Sequence, residues 1–259
     1  MGPLMGIMTA DLRKEVAGES LTDYREHYRA DAEAIVDPGE LDRLRHASEH
    51  RRFEGLVRLL RLQSGERVLD IGCGSGWLAD RCQGAGARVL AMDIAPAGVR
   101  AACGRFPGIA GFLAGDGYRL PCADASFDVV VLSEVVEHLE EVEAGLAEVR
   151  RVLKPGGRTL VSVPYKERIL HHLCIHCNRM TPANAHLHSF DESKLNGHLH
   201  NCGLSTERQV LLNNKLLELA GFPRWSRRWP YWCWRSMDRL FNRIVPRPGF
   251  LCVLAVRAD

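Results

Sequence analysis

Short apolar runs alternate with helix-length segments through the middle of the chain. The helix-length segments carry apolar residues at a spacing of three and four. The predicted strands are Arg67–Ile71, Arg88–Met92, Ile109–Ala114, Phe127–Leu132 and Arg158–Val163, and the predicted helices lie near 77–84, 96–105 and 137–153. This alternation is typical of βαβ units, in which helices cover both faces of a parallel sheet. We therefore predict an α/β fold with a mostly parallel sheet.

The pattern is less regular on either side of these units. A helix is predicted over 41–62, a further helix near 191–202, a strand near 204–212 and a last apolar run at Phe250–Val256. Residues 1–40 are polar and are predicted as a loosely packed arm or cap. We interpret 41–259 as one domain with two insertions, at about 164–190 and at 213–248. Late insertions of this kind can hold the substrate-recognition elements of an α/β enzyme.

Composition narrows the class of protein. The 259 residues suit one α/β domain, and the net charge of +2 argues against a general nucleic-acid binder, so we expect no DNA partner. The apolar runs are strand-sized, and the start MGPLMGIMTADLRKE lacks a basic region followed by a long apolar block. The nine cysteines are scattered through predicted elements. We predict reduced thiols in a cytoplasmic protein.

A glycine-rich turn follows the first predicted strand. The sequence runs Asp70-Ile71-Gly72-Cys73-Gly74-Ser75-Gly76 and then opens a helix. Glycines at such a turn allow positive φ and let a ligand approach the backbone, while the amides at the helix start can face the same space. Dinucleotide enzymes share this geometry, so the turn alone is weak evidence. Here Trp77, Leu78 and Ala79 replace the continuation typical of a dinucleotide fingerprint.

Further candidate residues follow the next strands. Asp93 ends the second strand, where a carboxylate can accept both hydroxyls of a ribose. Gly115-Asp116-Gly117 follows the third strand. The fourth strand ends at Ser133, and Lys154-Pro155-Gly156-Gly157 is predicted as a turn before the fifth.

From about Arg67 to Val163, these motifs resemble in order and spacing those of the class I S-adenosylmethionine-dependent methyltransferases. The resemblance implies a Rossmann-like sheet of seven strands whose last strand is antiparallel, and S-adenosylmethionine as cofactor. It also implies that the three glycines contact the methionine part, Asp93 the ribose and Asp116 the adenine amine, with Ser133 near the sulfonium. The predicted cofactor site comprises Asp70, Gly72, Cys73, Gly74, Gly76, Asp93, Ile94, Asp116, Gly117 and Ser133.

Two carboxylates and a histidine follow the fourth strand, at Glu134, Glu137 and His138. If a helix begins there, the spacing brings Glu134 close to the other two side chains. The run resembles those of ubiquinone-biosynthesis O-methyltransferases and RNA terminal-ribose 2′-O-methyltransferases. In the latter a downstream histidine completes a metal site, which implies His188 here, in the run His186-Leu187-His188. A divalent ion such as Mg²⁺ could then activate an acceptor hydroxyl. Without metal, His138 is the candidate general base, with Glu134 beside it.

A Cys-x-x-Cys pair lies in the first insertion, at Cys174 and Cys177. Zinc favours such thiolate pairs, and His186 or His188 could supply further ligands. The alternative is two reduced cysteines in a histidine-rich loop.

Four of the five tryptophans lie in the second insertion, among arginines. Trp225, Trp229 and Trp232 would share one face of a helix, but Pro230 interrupts it. Arginine with tryptophan suits a membrane interface, a lipid-like acceptor or stacking on a base, so residues 223–247 are a candidate for peripheral membrane or lipid contact. The alternative is a cap that packs its aromatic side chains onto the domain.

Three functional hypotheses follow. The first is O-methylation of a small molecule, such as a phenol, a sugar or a lipid-linked intermediate; the Glu-Glu-His resemblance favours oxygen. The second is ribose 2′-O-methylation of RNA, which the near-neutral charge and the absence of a separate RNA-binding region weaken. The third is a non-catalytic S-adenosylmethionine-binding protein, against which the intact glycine loop argues.

Overall fold

The computed structural model describes residues 25, 28, 29, 39, 41–173 and 180–258. Its strands are β1 (Arg67–Ile71), β2 (Arg88–Asp93), β3 (Gly111–Ala114), β4 (Phe127–Ser133), β5 (Leu153–Pro164), β6 (His171–Leu173), β7 (Met180–Pro182), β8 (Leu204–Asn214) and β9 (Pro248–Arg257). Its helices are α1 (Arg43–Leu60), α2 (Trp77–Gly84), α3 (Pro96–Arg105), α4 (Val142–Val152), α5 (Glu192–Asn201), α6 (Lys215–Leu219), α7 (Phe222–Trp225) and α8 (Tyr231–Ile244), with 3-10 turns at Val136–His138 and Ala183–Ala185.

Seven strands form one sheet in the order β3-β2-β1-β4-β5-β9-β8. The pairs from β3 to β5 are parallel, and β9 is antiparallel to both of its neighbours. The prediction of a seven-stranded, mostly parallel sheet with an antiparallel last strand is confirmed. The chain reverses its direction of strand addition between β1 and β4, and such a switch point is where open α/β sheets bind ligands.

Helices bury both faces of the sheet, which explains the continuous apolar run of β4. Val129 and Val131 face a core that includes Leu56 and Leu60 of α1. Val130 and Leu132 face a second core with α4 and α5. Successive side chains of a strand point to opposite faces, so a strand covered on both sides must be apolar at every position.

Several element boundaries differ from the sequence prediction by a residue or two, and the starts of β5 and α4 differ the most. β5 begins at Leu153, because that residue pairs with Phe127 across a bulge that includes the predicted turn. α4 begins at Val142 and not near 137. The carbonyl of Glu137 accepts bonds from the amides of Leu187 and His188, at 2.8 and 3.2 Å. It is therefore engaged by the first insertion, and a 3-10 turn stands where a helix was predicted.

Both insertions begin at the carboxyl edge of the sheet. The first carries the β6–β7 hairpin, and the second carries α6, α7 and α8 between β8 and β9. Within the described ranges no cysteine is paired in a disulfide. None of the described helices combines the length and apolarity needed to cross a bilayer.

Candidate active site

The glycine turn after β1 has the backbone conformation that its sequence predicts. Gly72, Gly74 and Gly76 have φ of 69°, 48° and 80°. A Cβ at Gly72 would overlap the side chain of Val135, whereas one at Gly74 would meet no atom within 4 Å. Glycine is thus required at Gly72 for packing, and at Gly74 it leaves a bare backbone beside open space. A ligand can approach that backbone closely.

Asp93 lies at the end of β2 beside this turn and is buried. Its Oδ2 accepts from the amide of Gly74 at 2.9 Å, and its Oδ1 accepts from the amide of Ala95 at 3.0 Å. These bonds fix the carboxylate in place. Each oxygen retains a second lone pair, so the group can still accept from ligand hydroxyls.

Asp116 follows β3 on the far side of the cavity. Its Oδ1 accepts from the amide of Tyr118 at 2.9 Å, and its Oδ2 accepts from Nε of Arg25 at 2.9 Å. The hydroxyl of Tyr28 accepts from the amide of Glu140 at 3.1 Å, and Tyr28 lines the cavity. Residues of the N-terminal segment therefore contact the site, which the polar sequence of that segment did not indicate.

The cavity runs along the carboxyl ends of β1, β2, β3 and β4. Its lining includes the predicted residues Gly72, Gly74, Asp93, Ile94, Asp116, Gly117, Glu134 and His138. It also includes Ile71, Met92, Gly115, Tyr118, Val135 and Leu139, which were not predicted. These residues lie at the ends of the same strands or shortly after them, so their positions in the sequence could have indicated them. The bare turn, the fixed carboxylate and this lining fit a nucleoside cofactor.

Other predicted cofactor residues lie behind the lining. Gly76 begins α2, Cys73 is buried against the α2 side of the sheet, and Asp70 is buried within β1. Burial, together with the carboxylate of Asp93, raises the pKa of Asp70 to about 7. Oγ of Ser133 accepts from Arg52 at 2.9 Å and is not part of the lining.

Arg52 joins α1 to the end of β4. It is buried, its Nη2 donates to Glu49 at 2.7 Å, and its Nη1 lies 3.6 Å from Oε1 of Glu134. Burial raises the pKa of Glu134 to about 8, while the guanidinium of Arg52 opposes this rise. Glu134 retains 28% of its side-chain surface and lines the cavity. Its φ of 58° is left-handed. Arg52 was not predicted as a site residue, because nothing in the sequence of an amphipathic helix indicates a contact with a distant strand.

Glu137, His138 and His186 form a cluster at the rim of the cavity. One ligand atom from each lies within 4.8 Å of the others. The rings of His138 and His186 meet edge to face, with centroids 4.8 Å apart, and Nδ1 of His186 contacts Oε2 of Glu167. Glu137 is fully buried, and neither of its carboxylate oxygens has a hydrogen-bond partner within the described residues. Burial raises its pKa well above the ordinary value, and the neighbouring Glu134 adds to the rise.

The structure places the other predicted ligands elsewhere. Nε2 of His188 lies 2.8 Å from the carbonyl oxygen of Leu139, so His186 stands where His188 was expected. Glu134 pairs with Arg52 and is not one of the three clustered residues, because the 3-10 turn replaces the helix that would have aligned it with them. Cys174 and Cys177 lie outside the described residues.

Comparisons with known proteins find similarity to methyltransferases. A sequence-family model described as a methyltransferase domain matches residues 69–161. The demethylmenaquinone methyltransferase of Renibacterium salmoninarum is 40% identical over 98 residues, which cover 38% of this chain and 41% of that protein. A ubiquinone biosynthesis O-methyltransferase of Rhodopseudomonas palustris is 31% identical over 205 residues, covering 74% of this chain and 76% of that one.

Among solved structures, the complex between the Haloferax volcanii Trm112 methyltransferase activator and a methyltransferase matches with a TM-score of 0.61. The identity is 22%, over 92% of this chain and 98% of that one, so this likeness concerns the fold. Fold and site together define an α/β enzyme that binds a nucleoside cofactor at the carboxyl edge of its sheet. The chain belongs to the class I S-adenosylmethionine-dependent methyltransferases. That cofactor carries an activated methyl group on a sulfonium, so methyl transfer requires an aligned acceptor, and a base only where the acceptor carries a proton.

Proposed function

We propose that this chain methylates a hydroxyl oxygen of a small molecule, such as a phenol, a sugar or a lipid-linked intermediate. The observation that carries the proposal is the cluster of Glu137, His138 and His186 at the cavity rim, since a hydroxyl must lose its proton during methyl transfer. The Rhodopseudomonas palustris relative is named for O-methylation in ubiquinone biosynthesis, which supports an oxygen acceptor.

We further propose that the cluster holds a divalent ion. A buried carboxylate without a hydrogen-bond partner in the described chain is costly, and a metal would satisfy it. Two imidazoles and one carboxylate form the ligand set of many catalytic zinc sites, whereas Mg²⁺ prefers oxygen ligands. The donor set therefore favours Zn²⁺ or a similar transition metal. Bound there, the ion would lower the pKa of the acceptor hydroxyl.

The chain's own residues divide the remaining work. Glu167 orients the imidazole of His186 through Nδ1, as outer carboxylates orient ligand histidines. His138 lines the cavity and places the cluster within reach of an acceptor. The carboxyl group of Glu134 lies on the same lining. If no ion binds, His138 acts as the general base itself.

The three parts of the proposal have separate tests. Methyl-labelled S-adenosylmethionine is mixed with the protein and a small-molecule extract, or with total RNA. We expect the label to appear in small molecules as a methyl ether that is stable to base. His138→Gln should bind the cofactor but transfer no label. Label in RNA, or on nitrogen or carbon, would refute the acceptor class. Metal analysis of protein purified without chelator tests the ion, with Glu137→Gln as the matched variant.

We also propose a cytoplasmic location. The unpaired thiols throughout the described ranges support it, because exported proteins usually oxidise such residues.

A further inference from the structure

The second insertion forms a cap, defined here as residues 215–247, whose outer surface is cationic. Its exposed charged side chains are Lys215, Arg224, Arg227, Arg228, Arg239, Arg243 and Arg247. Its two carboxylates face inward: Asp238 is fully buried and pairs with Arg235, and Glu218 contacts Ser48 and Asn213 of the domain. Among the described residues no acidic side chain forms an ion pair with the exposed cations. Counted over the described residues, the outer surface of the cap therefore carries a net positive charge.

Large apolar side chains are also exposed on the cap. Trp232 is 71% exposed and Ile244 is 68% exposed, and with Leu240 they lie on one side of α8 because their spacings are multiples of four. Leu219 is 81% exposed and Trp225 is 60% exposed, on the two short helices before α8. Most of the exposed large apolar side chains of the described residues lie in this one segment. Such a concentration is typical of an interaction surface, whereas scattered exposed residues are ordinary.

The exposed rings of Trp225 and Trp229 pack on buried residues of the cap. The ring of Phe222 is buried and contacts Trp225 and Trp229 edge-on, at 4.7 and 5.7 Å between centroids. Arg51 of α1 donates to the carbonyl oxygens of Ser226 and Trp229, at 2.6 and 2.8 Å. The interior of the cap is therefore anchored on the domain, and its outer surface carries exposed tryptophan, aliphatic side chains and arginine.

We propose that the cap docks the enzyme on an anionic lipid bilayer. Tryptophan and arginine favour the headgroup region, and aliphatic residues at the same level enter the acyl boundary. Each arginine near an anionic surface adds attraction. RNA would also attract the arginines, and its bases could stack on the tryptophans. It has no apolar interior in which the exposed side chains of Leu219, Leu240 and Ile244 could be buried. The aliphatic side chains therefore favour lipid over RNA.

The place of the cap in the fold agrees with this role. It begins where β8 ends, at Asn214, which pairs with Pro248 of β9. This is the carboxyl edge of the parallel strands, along which the cavity also lies. Docking would bring the cavity rim toward the lipid surface. The proposal does not depend on the acceptor or on the metal, and it can hold if both are assigned differently.

The test is flotation of the full chain with phosphatidylcholine vesicles prepared with and without phosphatidylglycerol. We expect binding to the anionic vesicles that weakens as salt is raised, and much less binding to the neutral ones. Arg239→Gln with Arg243→Gln should lower the affinity by about tenfold or more. Trp232→Ser with Ile244→Ser should lower it at any salt concentration, because apolar insertion is not screened.

The matched control is Arg88→Gln with Arg100→Gln, which removes two exposed arginines near β2 and α3, at the other end of the sheet. We expect unchanged vesicle binding. Calorimetry with S-adenosylmethionine checks that every variant is folded. Equal loss in the control pair, salt-independent binding to neutral vesicles, or binding to RNA in preference to anionic vesicles would each overturn the proposal.

Discussion

Nη1 of Arg52 lies 3.6 Å from Oε1 of Glu134, so a helix that precedes the sheet holds the residue that follows β4. Glu134 has the left-handed φ of 58°, which costs energy for a residue with a Cβ. Its amide donates to the carbonyl oxygen of Ser162 at 2.9 Å, and the pairing with Arg52 restrains its side chain. These contacts keep Glu134 on the cavity lining. They also fix the start of the segment that continues into the 3-10 turn Val136–His138.

Replacing Arg52 should therefore destabilise the fold strongly. Arg52→Met leaves Glu49 and Glu134 without their buried cation. We expect the free energy of unfolding, measured by urea titration, to fall by about 3 kcal/mol or more. The matched control is Arg45→Met on the same helix. Arg45 is 75% exposed and lies 3.5 Å from Asp42, so its loss should cost about 0.5 kcal/mol or less. Similar losses for the two variants would show that the buried ion pair of Arg52 contributes no more to stability than the exposed pair of Arg45.

The bare backbone at Gly74 should be needed for cofactor binding rather than for folding. Gly74 and Gly156 both have positive φ, and a Cβ at either would meet no atom within 4 Å. Gly74→Ala and Gly156→Ala should therefore destabilise the fold to a similar extent, by about 1 kcal/mol. Only Gly74→Ala adds a methyl group beside the cavity, and we expect at least a tenfold loss of S-adenosylmethionine affinity by calorimetry. Unchanged affinity would place the cofactor elsewhere.

The buried carboxyl of Asp70 should make stability depend on pH. Its pKa is about 7 in the folded protein, above the ordinary 3.8, so folding favours the protonated form. The contribution of Asp70 is thus fully present below about pH 4 and is lost as the pH rises through 7. The stability of Asp70→Asn relative to wild type should therefore increase from pH 4 to pH 7 and level off above it. Urea unfolding of both proteins across this range is the measurement, and a difference that stays constant would argue against an elevated pKa.

The two neighbouring histidines of the first insertion should behave differently toward zinc. His186 lies in the cluster with Glu137 and His138, and His188 contacts the carbonyl of Leu139. We expect His186→Asn to reduce zinc affinity at least tenfold, and Glu167→Gln to reduce it by about 10-fold to 100-fold, in titrations against a competing chelator. His188→Asn is the control and should bind zinc like wild type. A larger loss in His188→Asn would restore the assignment that the sequence motif suggested.

The core of the fold was predictable because its signals are local. A strand buried on both faces must be apolar at each position, as in β4, and the glycine turn needs residues without a side chain. In parallel βαβ units the carboxyl ends of successive strands meet at one edge. Gly74, Asp93 and Asp116 could therefore be assigned to one cavity from the sequence alone. The insertion boundaries follow from the same periodicity, since the alternation stops at Pro164 and again after β8.

The sequence by itself thus determined the alternation of strands and helices, and it indicated that Gly74, Asp93 and Asp116 share one edge of the sheet, because these features depend on periodicity and on residue types at strand ends. The strand order, with its switch point, came from the structure. Only the tertiary structure decided which histidine joins Glu137 and His138. His186 and His188 are two residues apart in an extended stretch, and the choice between them depends on Glu167 and the Leu139 carbonyl, which other segments bring close. The contact of Arg52 with Glu134 and the outward face of the cap have the same origin. Each depends on contacts between segments that are distant in sequence. The geometry of such contacts is set by tertiary packing and not by the local sequence pattern.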